Sequence, residues 1–272
     1  LFDDYASHAT AVRQSTQTIG ATRPGHTLYE AETGHIEDSV ARRKAQYQEY
    51  MKRYLRCVAS IDDNVGRILD YLDENGLADN TIIIYTSDQG FFLGEHGWYD
   101  KRFMYEESLR MPFVARFPGG IQPGISDDHI ILNTDFAATL LDYAGLKPAP
   151  GMQGQSFRGI LAGEEPGSWR EIMYYRYYRS HFNTPSHWGV RTKRYKYIYY
   201  NLSMEHELYD LTQDSSEIRN VYGDPGYKDV RRHLRSEVKR LQDELGDTDD
   251  SYQGEVRAWE LLSQPHDPIF GL

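Results

Sequence analysis

The run Ser87-Asp88-Gln89-Gly90 closes a short apolar stretch, and Lys101 follows it after a segment punctuated by Gly90, Gly94 and Gly97. An aspartate carboxylate and a glutamine side-chain carbonyl are both hard oxygen donors of the kind that Ca2+ or Mg2+ takes. A lysine returned by a glycine-rich loop adds a fixed positive charge. A divalent cation and an ammonium would together receive a tetrahedral oxyanion, neutralising charge on a transferred group and on its leaving oxygen. The same residues also spell a turn or a helix cap, and two donors fall short of the roughly six to eight oxygens that Ca2+ gathers. Spacing alone leaves both possibilities open.

Other residues carry weaker chemistry. His96, in Gly94-Glu95-His96-Gly97, suits a substrate contact or the packing of a loop. Asp100 and Arg102 flank Lys101 and could reach sugar hydroxyls or carboxylates, or simply be exposed. His187 and Arg191 bracket Trp188-Gly189-Val190 and could recognise a glycan ring or hold a strand. Arg191, Lys193, Arg194 and Lys196 form a basic hairpin, attractive to a polyanionic glycan and equally typical of a solvated surface. Asn201-Leu202-Ser203 spells a glycosylation sequon. Asp62-Asp63 reads as a solvated pair on a helix. Cys57 is the single cysteine, which excludes an internal disulfide and any cysteine-cluster metal site; its helical setting predicts a buried thiol.

Composition bounds the function class. A chain of 272 residues, 39% hydrophobic, can bury a sizeable core in one large domain or in one domain plus a smaller one. A net charge of −11 argues against a nucleic-acid partner, which usually needs a basic face, but leaves room for a small anionic substrate held by local Lys and Arg. No apolar run reaches membrane-spanning length, and the first residues, LFDDYASHATAVRQ, show no signal peptide and no initiator Met, as for a chain that starts within something longer. The 22 tyrosines, many between Tyr174 and Tyr200, suit carbohydrate rings and ordinary strands alike.

The elements that must position these groups are legible in outline. Residues 1–40 are polar and broken by Gly20, Pro24-Gly25 and Gly34, an irregular surface stretch. From Ala41 to Asn75, Tyr47, Met51, Tyr54, Leu55, Val58, Ile61, Val65, Ile68, Leu69 and Leu72 recur at helical steps, with Gly76 as the stop. Thr81–Thr86 is a continuous β-branched run, as in a parallel strand covered on both faces, and Phe113–Phe117 is a second such strand. A helix follows from Phe136 to Gly145. Beyond Pro148-Ala149-Pro150-Gly151, β-prone segments at 171–178, 188–192, 194–200 and 208–211 precede an amphipathic helix from Val230 to Gly246. The tail 247–272 wraps or frays. The expected architecture is α/β with a mainly parallel sheet over residues 1–165, plus a small antiparallel α+β subdomain over 166–272.

The string TSDQGFFLGEHGWYDKRFMYEESLRMPFVARFPGG resembles the second signature region of the type I sulfatases, in the alkaline phosphatase superfamily. The resemblance extends through YLRCVASIDDNVGRILDYLDENGLADNTIIIYTSD upstream and HWGVRTKRYKYIYYN and ELYDLTQDSSEIRNVYGDP downstream, from about residue 40 to 245. It implies an alkaline-phosphatase-like sandwich. Asp88 takes the place of a calcium-binding aspartate, Gln89 stands where Asn is usual, and Lys101 matches the lysine that contacts the sulfate ester oxygens. It further implies hydrolysis of sulfate esters on carbohydrate, as in glycosaminoglycan or mucin-type sulfatases, with Ca2+ (or Mg2+) and a formylglycine nucleophile. A periplasmic, secreted or lysosomal setting goes with it.

The sequence departs from the family pattern in one decisive way. Formylglycine arises from the Cys or Ser of a C/S-x-P-x-R motif, and no such motif occurs; Cys57 is followed by Val-Ala-Ser. The N-terminal aspartate pair of the metal site is missing too. The expected partners are therefore a sulfated carbohydrate and either the missing N-terminal half or a second copy of this chain. Two alternatives remain: a phosphonate monoester or phosphodiester hydrolase, or a non-catalytic binder of sulfated glycan.

Overall fold

A computed structural model describes residues 7–14, 31–178 and 184–247. The expected tail beyond 247 lies outside them. No helix among the described residues is long and apolar enough to cross a membrane. The chain packs as two units interleaved along the sequence: 1–47, 90–110 and 172–272 form one, and 48–89 and 111–171 the other.

The first unit is built on one sheet. Strands β5 (Ile172–Tyr177), β6 (His187–Thr192), β7 (Tyr195–Tyr200) and β8 (Glu205–Asp210) pair antiparallel in chain order. The register sets Tyr174, Val190, Tyr197 and Leu208 across one face. Helix α6 (Lys228–Leu245) covers that face through Leu234 and Val238, and the left-handed Gly246 ends it. Tyr175, Gly189, Ile198 and Glu207 cross the opposite face. There the segment 92–105 packs through Phe92, Trp98, Phe103, Met104 and Tyr105, all buried, and the short helix α1 (Thr10–Gln14) joins with Ala9 and Val12. Side chains alternate between faces along a strand, so a sheet covered on both sides needs aromatic and apolar residues at consecutive positions. This is the reason for the tyrosine-dense run. It also corrects the reading of residues 1–40 as wholly irregular, because Val12 is 1% exposed on a helix.

Helix α2 (Ser39–Glu74) begins where the Asp38 carboxylate accepts the Ala41 amide at 2.7 Å, and Gly76 is left-handed just past its end. In the second unit β1 (Ile83–Thr86) pairs with β4 (Phe113–Arg116), Ile83 opposite Arg116 and Thr86 opposite Phe113. The pair is antiparallel, which corrects the expected parallel arrangement; no parallel pair occurs among the described residues. An unbroken β-branched run reports a strand's faces, not its direction, and here Tyr85 and Val114 are 43% and 65% exposed. Helices α4 (Asp135–Tyr143) and α5 (Arg158–Leu161) complete this unit, with Phe157, Ile160 and Leu161 packed on Phe113, Phe136 and Trp169. At the first residue of α4 the buried Asp135 accepts the Leu132 and Gln155 amides and pairs with Arg170. Cys57 is exposed, against the expected buried thiol, as are Leu55, Val58, Ile61 and Ile68 on the same helix.

Gly189 packs tightly against its neighbouring strand and against Met104 of segment 92–105. A Cβ there would stand 2.1 Å from the Tyr197 carbonyl oxygen and 2.7 Å from Met104 Sδ. Gly189→Ala is therefore expected to destabilise the fold by about 1–3 kcal/mol through overpacking, read as a lowered denaturation midpoint. An unchanged midpoint would show that this contact is slack.

Candidate functional site

Residues 90–110 hold Lys101, and their backbone is unusual. Strands β2 (Phe92–Leu93) and β3 (Tyr99–Asp100) form a minimal hairpin, closed by the Gly94 amide on the Trp98 carbonyl at 2.9 Å. His96 has φ 54°, and Asp100 and Arg102, on either side of Lys101, have φ 145° and 105°. Non-glycine residues rarely take positive φ, and such backbone persists where the surroundings over-determine it. The surroundings here are Trp98 and Phe103, both fully buried. Lys101, between them in sequence, keeps a 36% exposed side chain. Its ammonium is 3.8 Å from the Asp100 carboxylate, which is itself ion-paired with Arg102.

Helix α3 (Glu106–Leu109) follows and is tied to the sheet by charge. Glu106 accepts a forked pair from Arg191, at 3.0 and 2.9 Å, and lies 2.9 Å from the ammonium of the fully buried Lys196. Lys196 also meets Glu217 at 2.6 Å, and Glu217 accepts the Glu106 amide at 2.7 Å. Burial opposes ionisation of Glu106, but Lys196 and Arg191 overcome it and lower its pKa to about 2. Arg194 pairs with Asp210. The basic hairpin is thus largely neutralised by carboxylates, which weighs against a glycan-attracting patch. Lys196→Met leaves the buried Glu217 carboxylate without its cation and Glu106 with Arg191 alone. The expected loss is about 3–5 kcal/mol, measured by chemical denaturation.

His187 is fully buried, its Nδ1–H donating to the Pro185 carbonyl at 2.8 Å, with Phe103, Tyr175 and Tyr177 stacked around it. Burial lowers its pKa to about 4. It is a core residue, not the expected sugar contact. Arg191 is spent on Glu106, and Arg102 pairs with Asp100. His96 is 3% exposed, stacks on Tyr105, and bridges His8 at 3.2 Å and Glu107 at 3.3 Å. These placements favour packing over substrate contact for His96 and Arg191. Asn201 is also buried, donating to Ser186 Oγ at 3.1 Å, which removes the sequon from the surface.

In the second unit, Asp88 and Gln89 follow β1 after Ser87. Asp88 is exposed and accepts the Ser87 hydroxyl at 3.3 Å; Gln89 is half-buried. Two side-chain oxygen donors at a strand end fit a hard cation in chemistry, and the remaining ligands of such a site would come from elsewhere. A separate grouping, Asp127, Asp128 and His129, sits on the surface, with Asp127 already accepting the His129 amide and ring N–H.

Sequence reasoning missed the buried network around Glu207. Its carboxylate accepts the Ala9 amide at 2.5 Å and the hydroxyls of Tyr105 and Tyr200 at 2.7 and 3.2 Å. Burial nonetheless raises its pKa from 4.5 to about 7, while burial and the neighbouring His96 lower His8 to about 4. The clue was phase: Glu207 shares a strand face with Tyr209, which marks an inward carboxylate only once both faces are known to be covered. A carboxyl whose pKa rises on folding contributes most below its unfolded value, and that contribution is lost as pH climbs through the folded one. Stability from Glu207 therefore falls between about pH 4.5 and 7. Glu207→Gln removes this titration, so the midpoint difference between variant and wild type should move in the variant's favour from pH 5 to pH 8. A pH-independent difference would contradict the assignment.

A family model described as "Sulfatase" matches residues 4–146, and one described as "N-sulphoglucosamine sulphohydrolase, C-terminal" matches residues 94–244. An N-acetylglucosamine-6-O-sulfatase of Bacteroides thetaiotaomicron is 44% identical over 209 residues, 75% of this chain and 38% of the relative. A protein solved with its substrate D-glucosamine-2-N,6-O-disulfate superposes with a TM-score of 0.84 at 34% identity, covering 92% of this chain and 60% of that one. The phosphonate monoester hydrolase of Agrobacterium radiobacter gives 0.64 at 27%, covering 75% and 42%. The chain spans about two fifths of the length of the curated relative named here.

Proposed function

Because this chain belongs to the sulfatase family, we propose that it is the C-terminal share of a sulfuric ester hydrolase acting on sulfated carbohydrate. The observation that carries this is the Lys101 turn, a partly exposed lysine held on a strained and anchored backbone, in a chain 44% identical over 209 residues to an N-acetylglucosamine-6-O-sulfatase. Lys101 would donate to the ester oxygens and stabilise the departing alkoxide. Asp88 and Gln89 would hold a divalent cation, Ca2+ before Mg2+, which when bound neutralises charge on the sulfate group. The expected alkaline-phosphatase-like sandwich, and the periplasmic, secreted or lysosomal setting, belong to the same proposal.

The nucleophile must come from a C/S-x-P-x-R segment that this sequence lacks. Exposed Leu55, Ile61, Ile68 and Val114, at 54%, 48%, 60% and 65%, give such a segment apolar surface to cover, or support self-association in its place. The chain alone should show no turnover of an aryl sulfate or of N-acetylglucosamine 6-sulfate. Joined to a nucleophile-bearing segment it should turn over, and Lys101→Ala should then lower kcat by about 100- to 1,000-fold. Turnover by the isolated chain would refute the division of labour. Likeness to a phosphonate monoester hydrolase supports a second reading, phosphonate monoester or phosphodiester hydrolysis. A side-by-side assay preferring the phosphodiester would replace the first with the second. Sulfated-glycan binding without turnover in the joined protein would favour a non-catalytic role.

A further inference from the structure

Lys101 has a neighbour on each side at positive φ, and something must hold the chain in that shape. Arg102 is gripped through its backbone at both ends. Its amide donates to Ser108 Oγ at 3.0 Å, and its carbonyl accepts the Tyr175 hydroxyl at 2.7 Å. Ser108 is 7% exposed, and its own carbonyl accepts the Gly90 amide at 2.8 Å. Gly90 permits this approach, since a Cβ there would lie 2.0 Å from the Glu107 carbonyl oxygen. One buried serine is therefore bonded to the residue that follows Gln89 in sequence and to the residue that follows Lys101.

We propose that Ser108 and Tyr175 are positioning residues for Lys101: they fix the strained turn from which its ammonium meets a sulfate oxyanion. Neither reaches substrate. Ser108 acts through the Arg102 amide and Tyr175 through the Arg102 carbonyl, so the lysine is aimed by its backbone while its side chain stays accessible. The proposal rests on the reading of Lys101 as an oxyanion contact. A backbone at φ 145° and 105° relaxes when its anchors go, because ordinary negative φ is lower in energy for aspartate and arginine.

The test uses the 272-residue chain in calcium-containing buffer, with Ser108→Ala, Ser108→Thr and Tyr175→Phe. Amide exchange followed by NMR should show Arg102 exchanging roughly tenfold faster in Ser108→Ala, with Gly90 unchanged, since the serine carbonyl remains. Acetylation of Lys101, read by mass spectrometry against exposed Lys52 as internal control, should be slowed by inorganic sulfate in the wild type. That protection should be lost in Ser108→Ala, weakened in Tyr175→Phe and restored in Ser108→Thr, which keeps the hydroxyl. An unaltered Arg102 exchange rate in Ser108→Ala would overturn the tether. Faster exchange with full sulfate protection would overturn the positioning role. No sulfate protection in the wild type would overturn the reading of Lys101 itself and the positioning role with it, whatever the exchange rates show of the tether.

Discussion

The fully buried ammonium of Lys196 sets the terms for much of this molecule. Placed 2.9 Å from Glu106 and 2.6 Å from Glu217, it joins the start of helix α3 to strand β7 and to the chain beyond β8. A buried cation is tolerated only when paired and hydrogen-bonded, and each partner here is itself committed elsewhere, Glu106 to Arg191 and Glu217 to the Glu106 amide. The segment carrying Lys101 is therefore bounded on its C-terminal side by a charge lattice that cannot shift piecemeal. On its N-terminal side it is bounded by the close approach of Gly90 to α3. Lys101 sits between two fixed points on a backbone with little freedom of its own.

What the sequence disclosed followed from period and punctuation. Helices α2, α4 and α6 were visible in their apolar spacing, and the left-handed glycines 76, 145 and 246 stand where the pattern stopped. Strands β5 to β8 came from the aromatic and β-branched density. The direction of β1 against β4 was not visible, because pairing partners lie outside the strand whose composition is being read. Burial of α2 was misjudged for a related reason. Helical spacing shows which residues share a face, and Cys57 and Ile68 show that a shared face need not be a covered one.

The site divides in the same way. Lys101 was marked by residue types around it, and the structure adds what types cannot tell, the inverted φ of its neighbours. Arg191 and Lys196 looked like surface charge because their countercharges, Glu106 and Glu217, lie far away in sequence. His187 looked like a ligand because an isolated histidine before a tryptophan invites it; four aromatic rings bury it instead. Polar residues are the hardest to place from one sequence, since the same side chain is cheap at the surface and demanding inside, and only the partner decides which applies.

The hydrogen bond from the Ala9 amide to Glu207 spans 198 residues. Ribosomal synthesis delivers the first partner long before the second, by roughly 10 to 40 seconds at ordinary elongation speeds. Throughout that interval helix α1 has no strand β8 to dock on, and the aromatic residues from Phe92 to Tyr105, once made, have no complete sheet to cover them. The first unit can close only after nearly all of its chain has left the exit tunnel, so a nascent polypeptide of this protein must pass through a prolonged open state in which chaperones have greasy, sticky surface to hold.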